Sequence, residues 1–158
     1  MTIAEGDRIP EMTLKTNGAN GPEDIATGDL FKGKKVVLFA VPGAFTPGCS
    51  NTHMPGFVTQ ADELKQKGVD EIVCTAVNDA FVMDAWQKDQ NAEAITMLAD
   101  GNADFAKALG LDMDASGGGM GARSKRYAMI VNDGVVEYLG VDGKGVEESS
   151  AETVLSKL

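Results

Sequence analysis

Cysteine and histidine are scarce: 158 residues contain two cysteines, Cys49 and Cys74, and a single histidine, His53. A four-ligand Cys/His zinc site cannot be assembled from one such chain, and a disulfide-stapled fold is excluded by the same count. Basic residues are outnumbered 14 to 24 by acidic ones, a formal charge of −10. The acids are spread along the chain, so phosphate backbones and anionic lipid are repelled, and nucleic-acid and membrane-surface roles are set aside. Long apolar runs are missing too. The longest, residues 36–45, is interrupted by Pro42 and Gly43, whereas a membrane-spanning helix needs about 18–20 apolar residues. The opening MTIAEGDRIPE has neither the basic end nor the apolar run of a secretory signal. We therefore expect a cytoplasmic protein and, from the length, a single domain over residues 1–158.

What is present is an alternation. Apolar runs at 36–41, 71–77 and 127–131, with shorter ones at 96–99 and 135–139, are separated by segments of helical character at 47–67, 80–90, 103–109 and 150–158. That order predicts an α/β fold with helices laid against a sheet. In the first helical segment Met54, Phe57, Val58, Ala61 and Leu64 form one stripe, and Pro55 inside it should kink it. Asn132-Asp133-Gly134 between two apolar runs predicts a hairpin. Residues 116–121, with four glycines, form the one loop of flexible composition and lead into the basic run Arg123-Ser124-Lys125-Arg126.

Chemistry concentrates at residues 41–50, Val-Pro-Gly-Ala-Phe-Thr-Pro-Gly-Cys-Ser, where a buried strand turns into a helix. Thr46 suits the N-cap and Pro47 the first helical position, which puts Cys49 in the first turn beside unpaired amides at the positive end of the helix dipole. A nucleophilic cysteine must react as thiolate. Holding one mostly ionised at neutral pH takes roughly 3 kcal/mol of preferential stabilisation, and a helix terminus supplies about 0.3–2 kcal/mol. A cation must therefore arrive from elsewhere in the chain, and the sulfur must be reachable from solvent. Ionisation alone raises reactivity only on the order of tenfold, so donors aimed at the substrate's developing charge are needed as well. The same segment has nucleotide-loop spacing, G-x-x-x-x-G-x-[ST], but Cys49 replaces the required lysine and Pro47 removes an amide, which argues against nucleotide binding. No cofactor is implied. His53, four residues after Cys49, leaves open a Cys–His pair for acyl transfer.

The segment Pro42-Gly43-Ala44-Phe45-Thr46-Pro47-Gly48-Cys49-Ser50, continuing Asn51-Thr52-His53-Met54-Pro55-Gly56-Phe57, resembles the active-site loop of peroxiredoxins, in the wording of the type II or type 5 branch. The likeness extends over nearly the whole chain and includes residues 77–82, Trp86 and residues 123–129. It implies a thioredoxin-like fold with a central mixed sheet flanked by helices, and thiol-dependent reduction of hydrogen peroxide and organic hydroperoxides. Its core pattern falls on Pro42, Thr46 and Cys49, and its distant arginine is carried onto Arg123, with Lys125 and Arg126 as rival cations. On this reading Cys49 attacks peroxide and becomes a sulfenic acid. Arg123 stabilises the thiolate, Thr46 and the backbone at Gly48 and Cys49 hold the substrate oxygens, and Pro42 shields the sulfur. Each has a plainer alternative: Thr46 as a helix cap, Pro42 as a turn residue, Arg123 as a solvated charge.

Cys74 lies within the apolar run 71–77 and reads as a buried core thiol. A mid-strand cysteine does not face one on a first helical turn at the separation a disulfide needs, and no C-terminal cysteine is available as a resolving partner. An external thiol, glutathione, glutaredoxin or thioredoxin, is therefore expected to recycle Cys49. Family likeness also implies a homodimer, with Phe45, His53 and Trp86 as contact candidates. Two competing functions remain at this point, a peroxide sensor that reports to a partner and a Cys49/His53 hydrolase.

Overall fold

The centre of the sheet is set by burial on both of its faces. The computed structural model describes residues 2–143 and 145–158. Strands β3 (Lys35–Ala40), β4 (Glu71–Ala76) and β5 (Thr96–Ala99) are covered on both faces, and for that reason read as unbroken apolar runs. With β1 (Thr13–Gly18) and β2 (Gly21–Ala26) on one side, and β8 (Arg126–Asn132) and β9 (Val135–Asp142) on the other, they form a seven-stranded sheet ordered β2-β1-β5-β4-β3-β8-β9. Strands β3, β4 and β5 run parallel, while β8 lies antiparallel to β3. A separate ribbon pairs β6 (Asp112–Asp114) with β7 (Ala122–Ser124). Mixed sheet and flanking helices give the α/β, thioredoxin-like architecture expected.

One face carries α2 (Met54–Thr59), α3 (Ala61–Gln66), α4 (Ala80–Asp89) and α6 (Ala151–Ser156), which bury Phe57, Leu64, Met83, Trp86 and Val154. The opposite face is closed by α1 (Thr27–Phe31) and α5 (Asp104–Leu109), through Leu30, Phe31, Phe105 and Leu109. The Asn132–Val135 hairpin is a two-residue turn with Asp133 and Gly134 both at positive φ, as the sequence indicates. The β1–β2 hairpin and α1 were not legible. β2 is the edge strand and β1 its neighbour, and both carry mostly exposed or half-buried side chains, so no apolar alternation marks them.

The long helix expected over 47–67 differs from the expectation. Cys49–His53 forms a π-turn, in which the Met54 amide donates to the Cys49 carbonyl five residues back, and the helix axis breaks at Gln60 instead of Pro55. Pro55 has no amide to give and sits in the first turn of α2, where none is needed. The widened turn adds one residue ahead of the proline and turns His53 into the core.

Strand β9 and the loop after it are held by Gly140. A Cβ there would overlap the Glu148 carbonyl and the Tyr138 hydroxyl, which are bonded to each other at 2.7 Å. Gly140→Ala should therefore cost about 1–3 kcal/mol, lowering Tm by about 3–10 °C for a chain of this size. A thermal melt unchanged within 1 °C would show that the 145–150 loop moves aside freely.

Candidate active site

Strand β3 delivers the loop 41–48, and the π-turn carries Cys49. Its residue is fully buried, and Arg126 Nη2 lies 3.2 Å from the sulfur. Arg126 Nη1 lies 2.8 Å from His53 Nδ1. A guanidinium can only donate, so Nδ1 must present its lone pair and the imidazole proton resides on Nε2, which donates to the Ser149 carbonyl at 2.9 Å. Ser149 is fixed in turn, since its amide and hydroxyl both donate to Asp142, which also accepts from the Glu147 and Glu148 amides. Asp142 pairs with Arg126 across β8–β9. A continuous chain of partners thus runs Asp142, Ser149, His53, Arg126, Cys49.

The guanidinium beside the sulfur belongs to Arg126, one of the rival cations, and not to Arg123, onto which the family likeness carried that place. Arg123 does not touch Cys49; its Nε donates to the Met120 carbonyl at 3.0 Å and its Nη1 to the Val77 carbonyl at 3.2 Å. The physical reason is register. Arg123 belongs to the β6–β7 ribbon, whereas Arg126 opens β8, one residue beyond the Ala40–Tyr127 pair and so opposite the start of the cysteine loop. Gly48 makes room for it, since a Cβ there would lie 3.2 Å from Arg126 Nη2.

Thr46 donates its hydroxyl to the Gly43 carbonyl at 2.7 Å and accepts at its own carbonyl from the Ser50 amide. Its oxygen lone pairs are left to accept from a substrate. Among the described residues no carbonyl accepts from the Gly48 or Cys49 amides. Pro42 is half-buried and lines, with Met113, Lys125, Arg126, Val141 and Asp142, a cleft of about 360 Å³. The expected accessibility of the sulfur is not met in this state, because loop and guanidinium together cover it.

His53 is not a base for Cys49. Its ring packs tilted against the stacked pair Phe39 and Phe57, with centroids at 5.0 and 5.5 Å, and both nitrogens are already engaged. That removes the hydrolase arrangement. Nor are His53 and Trp86 partner contacts, since both are buried within the chain; Trp86 donates to Ser50 Oγ at 3.0 Å. Phe45 is exposed (52%), and sequence reasoning missed Phe81, exposed at 71%. Cys74 is buried in mid-strand as expected. Burial above all, then the neighbouring Cys49, pushes its thiol well above the usual range against the pull of Arg126.

Residues 4–155 match the Redoxin family model. The chain is 45% identical to chloroplastic Peroxiredoxin-2E of Arabidopsis thaliana, covering 99% of this chain and 70% of that one. It is 44% identical to Arabidopsis Peroxiredoxin-2B over 99% and 98% of the two chains. Among solved structures, reduced Prx3 of Vibrio vulnificus in complex with H2O2 superposes with a TM-score of 0.95 at 55% identity, covering 98% of each chain. The chain belongs to the peroxiredoxin family. It falls in the type II/type 5 branch and is a thiol-dependent peroxidase. Among the described residues of this peroxiredoxin no helix is long and apolar enough to cross a membrane, and no cluster of His, Cys, Asp and Glu could hold a metal.

The peroxiredoxin's histidine carries a pH signature. Its pKa falls from the usual 6.5 to about 4, because burial disfavours the cation; the Ser149 carbonyl opposes this, Arg126 reinforces it and Asp142 opposes it again. Between pH 6.5 and 4 the unfolded chain binds a proton that the native chain refuses, so this contribution to stability is full above that window and is lost as pH falls through it. The loss amounts to roughly 3 kcal/mol. Asp142, held below the carboxylate range by Ser149 and the loop amides despite burial, acts only below its usual 3.8. Chemical denaturation at pH 7 and at pH 4.5 should show a smaller pH-dependent loss in His53→Gln than in the native chain. Equal losses would assign the proton to another group.

Proposed function

We propose that Cys49 is the peroxidatic cysteine and that Arg126, not Arg123, is the cation that serves it. The observation that carries this is the single guanidinium set between the Cys49 sulfur and a neutral imidazole. In the first step the Cys49 thiolate attacks the terminal oxygen of a hydroperoxide. An S–O bond forms, the O–O bond breaks, and the alkoxide leaves with a proton as alcohol, or as water from hydrogen peroxide, giving a sulfenic acid. Arg126 holds the thiolate and lies where negative charge passes from sulfur to the departing oxygen, Thr46 accepts from the peroxide, and the Gly48 and Cys49 amides offer further donors. Pro42 screens the site from water beside Arg126. Since the sulfur is covered at rest, peroxide enters when the 43–48 loop yields.

Reduction then falls to an external thiol. One thiol attacks the sulfenic sulfur, water leaves and a mixed disulfide forms; a second thiol releases the disulfide and restores the Cys49 thiolate. The burial and high pKa of Cys74 support this over an internal disulfide. Glutathione, glutaredoxin and thioredoxin all meet the chemical requirement. We assign the protein to the cytoplasm, and we read exposed Phe45 and Phe81 as the apolar surface of a homodimer.

Rapid mixing with hydrogen peroxide tests the arginine. Arg126→Ala should slow oxidation of Cys49 by about 10²–10³-fold, the loss typical of a donor aimed at developing charge. A change of less than threefold would remove Arg126 from the reaction. Steady-state turnover tests the cycle: Cys74→Ser should keep peroxide consumption with glutathione and glutaredoxin, or with thioredoxin, whereas Cys49→Ser should show none. Loss of turnover in Cys74→Ser would make Cys74 the resolving thiol.

A further inference from the structure

Arg123 is left over from this mechanism, yet its side chain is as deliberately bonded as any in the molecule. It sits half-buried in β7, facing Met113 of β6, and no carboxylate lies within ion-pair distance of it among the described residues. Its donors go instead to two carbonyls on separate segments. One is Met120, at the tip of the glycine-rich strap 116–121; the other is Val77, just past the end of β4. The strap has little else to hold it. It contains a short turn, Ser116–Gly118, with Gly119 and Gly121 at positive φ, and residues 116–119 are exposed. Its remaining bonds are local: backbone bonds among residues 115–121, and the Ser116 amide donating to Asp114 Oδ1.

The same guanidinium reaches the cysteine loop. A Cβ built on Gly43 would lie 3.1 Å from Arg123 Nη1, 3.2 Å from Thr46 Cγ2 and 3.3 Å from Met120 Cε. Gly43 is therefore the point where strap, arginine and Thr46 converge, and its carbonyl receives the Thr46 hydroxyl. The next residue is tied to the same end of β4, the Ala44 amide donating to Asn78 Oδ1 at 2.9 Å.

We propose that Arg123 is a positioning residue of the peroxidase site. It staples the glycine-rich strap to the end of β4 and packs both against Gly43, and through Gly43 it fixes Thr46 relative to Cys49. A planar guanidinium donating from Nε and Nη1 to two separate carbonyls can do this, whereas a lysine ammonium, a single point charge, cannot reproduce the fork. With Met120 at its tip, the stapled strap borders the loop that must yield to peroxide and so limits the size of the group the entrance admits. The inference rests on the reading of Cys49 and Thr46 as the residues that meet peroxide.

Two readouts on three variants test it. Amide hydrogen exchange over residues 115–122 reports the staple directly and needs no activity. Rapid-mixing oxidation of Cys49 by hydrogen peroxide and by cumene hydroperoxide reports the site. Arg123→Ala should speed exchange in the strap, slow oxidation by hydrogen peroxide about tenfold, and shift the ratio of the two rates toward the bulkier cumene hydroperoxide. Arg123→Lys should fall between it and the native chain in both readouts. Arg126→Ala should lose far more rate with strap exchange unchanged. The proposal is overturned if Arg123→Ala leaves strap exchange as it was, or if the strap loosens while both oxidation rates hold. It is also overturned if Arg123→Ala matches Arg126→Ala in rate with the strap still protected, which would put Arg123 on the reacting atoms. A native chain that failed to react with peroxide would instead sink the functional reading, and strap exchange would still report on the staple.

Discussion

The site depends on how a half-buried guanidinium finds partners without a carboxylate. Arg126 has no carboxylate within ion-pair distance among the described residues; on one side it meets sulfur and on the other a lone pair on nitrogen. A cation withdrawn from water in this way is costly unless negative charge or full hydrogen bonding answers it. A carboxylate in place of His53 would answer it completely and leave the sulfur without a claim on the cation. A neutral imidazole supplies geometry without neutralising charge. Burial keeps that imidazole neutral, and the Ser149 carbonyl accepts from Nε2–H on the far side, so the direction of the whole hydrogen-bond chain is set. Asp142, which faces Arg126 across β8–β9, is occupied by three amides and a hydroxyl.

This arrangement explains the local departures from regular structure. An ordinary α-helical turn after Cys49 would rotate residue 53 away from its place against Phe39 and Phe57. The π-turn brings it there, and the stacking of Phe39 on Phe57, 4.0 Å between centroids, closes the pocket beneath it. Gly140 lets the Glu148 carbonyl approach Tyr138, so the loop bearing Ser149 can reach the imidazole. Elements far apart in the chain meet at this guanidinium: β8 carries it, the π-turn supplies both of its partners, Cys49 and His53, and the segment after β9 supplies the Ser149 carbonyl that orients His53.

Such a division sets the limit of what could be read in advance. Pro42, Thr46 and Cys49 lie on one continuous loop between a strand and a helix, and local spacing suffices to find them. The doubly buried strands β3 and β4 are legible for a similar reason, since burial on both faces writes itself as an apolar run. Arg123 and Arg126 lie in the same basic run, three residues apart, and nothing local separates them. Which one meets the sulfur is decided by the pairing of β8 with β3, a contact more than 80 residues distant in sequence. His53 was legible as chemically interesting but not in its role, because a helix-period reading places it a full turn from Cys49 and misses the π-turn.

On the proposed assignment of Cys49 as the peroxidatic residue, its burial and its need to meet peroxide are reconciled by an uneven distribution of restraint. On the sheet side, Arg126 is held by its strand, by His53 and by the loop that Asp142 organises. On the solvent side, Phe45 is exposed with φ at 66°, a left-handed conformation that costs a bulky residue about 1–2 kcal/mol. The loop around it is tied by the Ala44–Asn78 bond and the Thr46–Gly43 bonds, each worth about 1 kcal/mol. Outward movement of this loop breaks few bonds and releases stored strain, whereas movement of Arg126 would unmake the whole chain of partners. In the proposed mechanism peroxide therefore meets a rigid cation and a yielding cover, so that admitting substrate leaves the electrostatics around Cys49 in place.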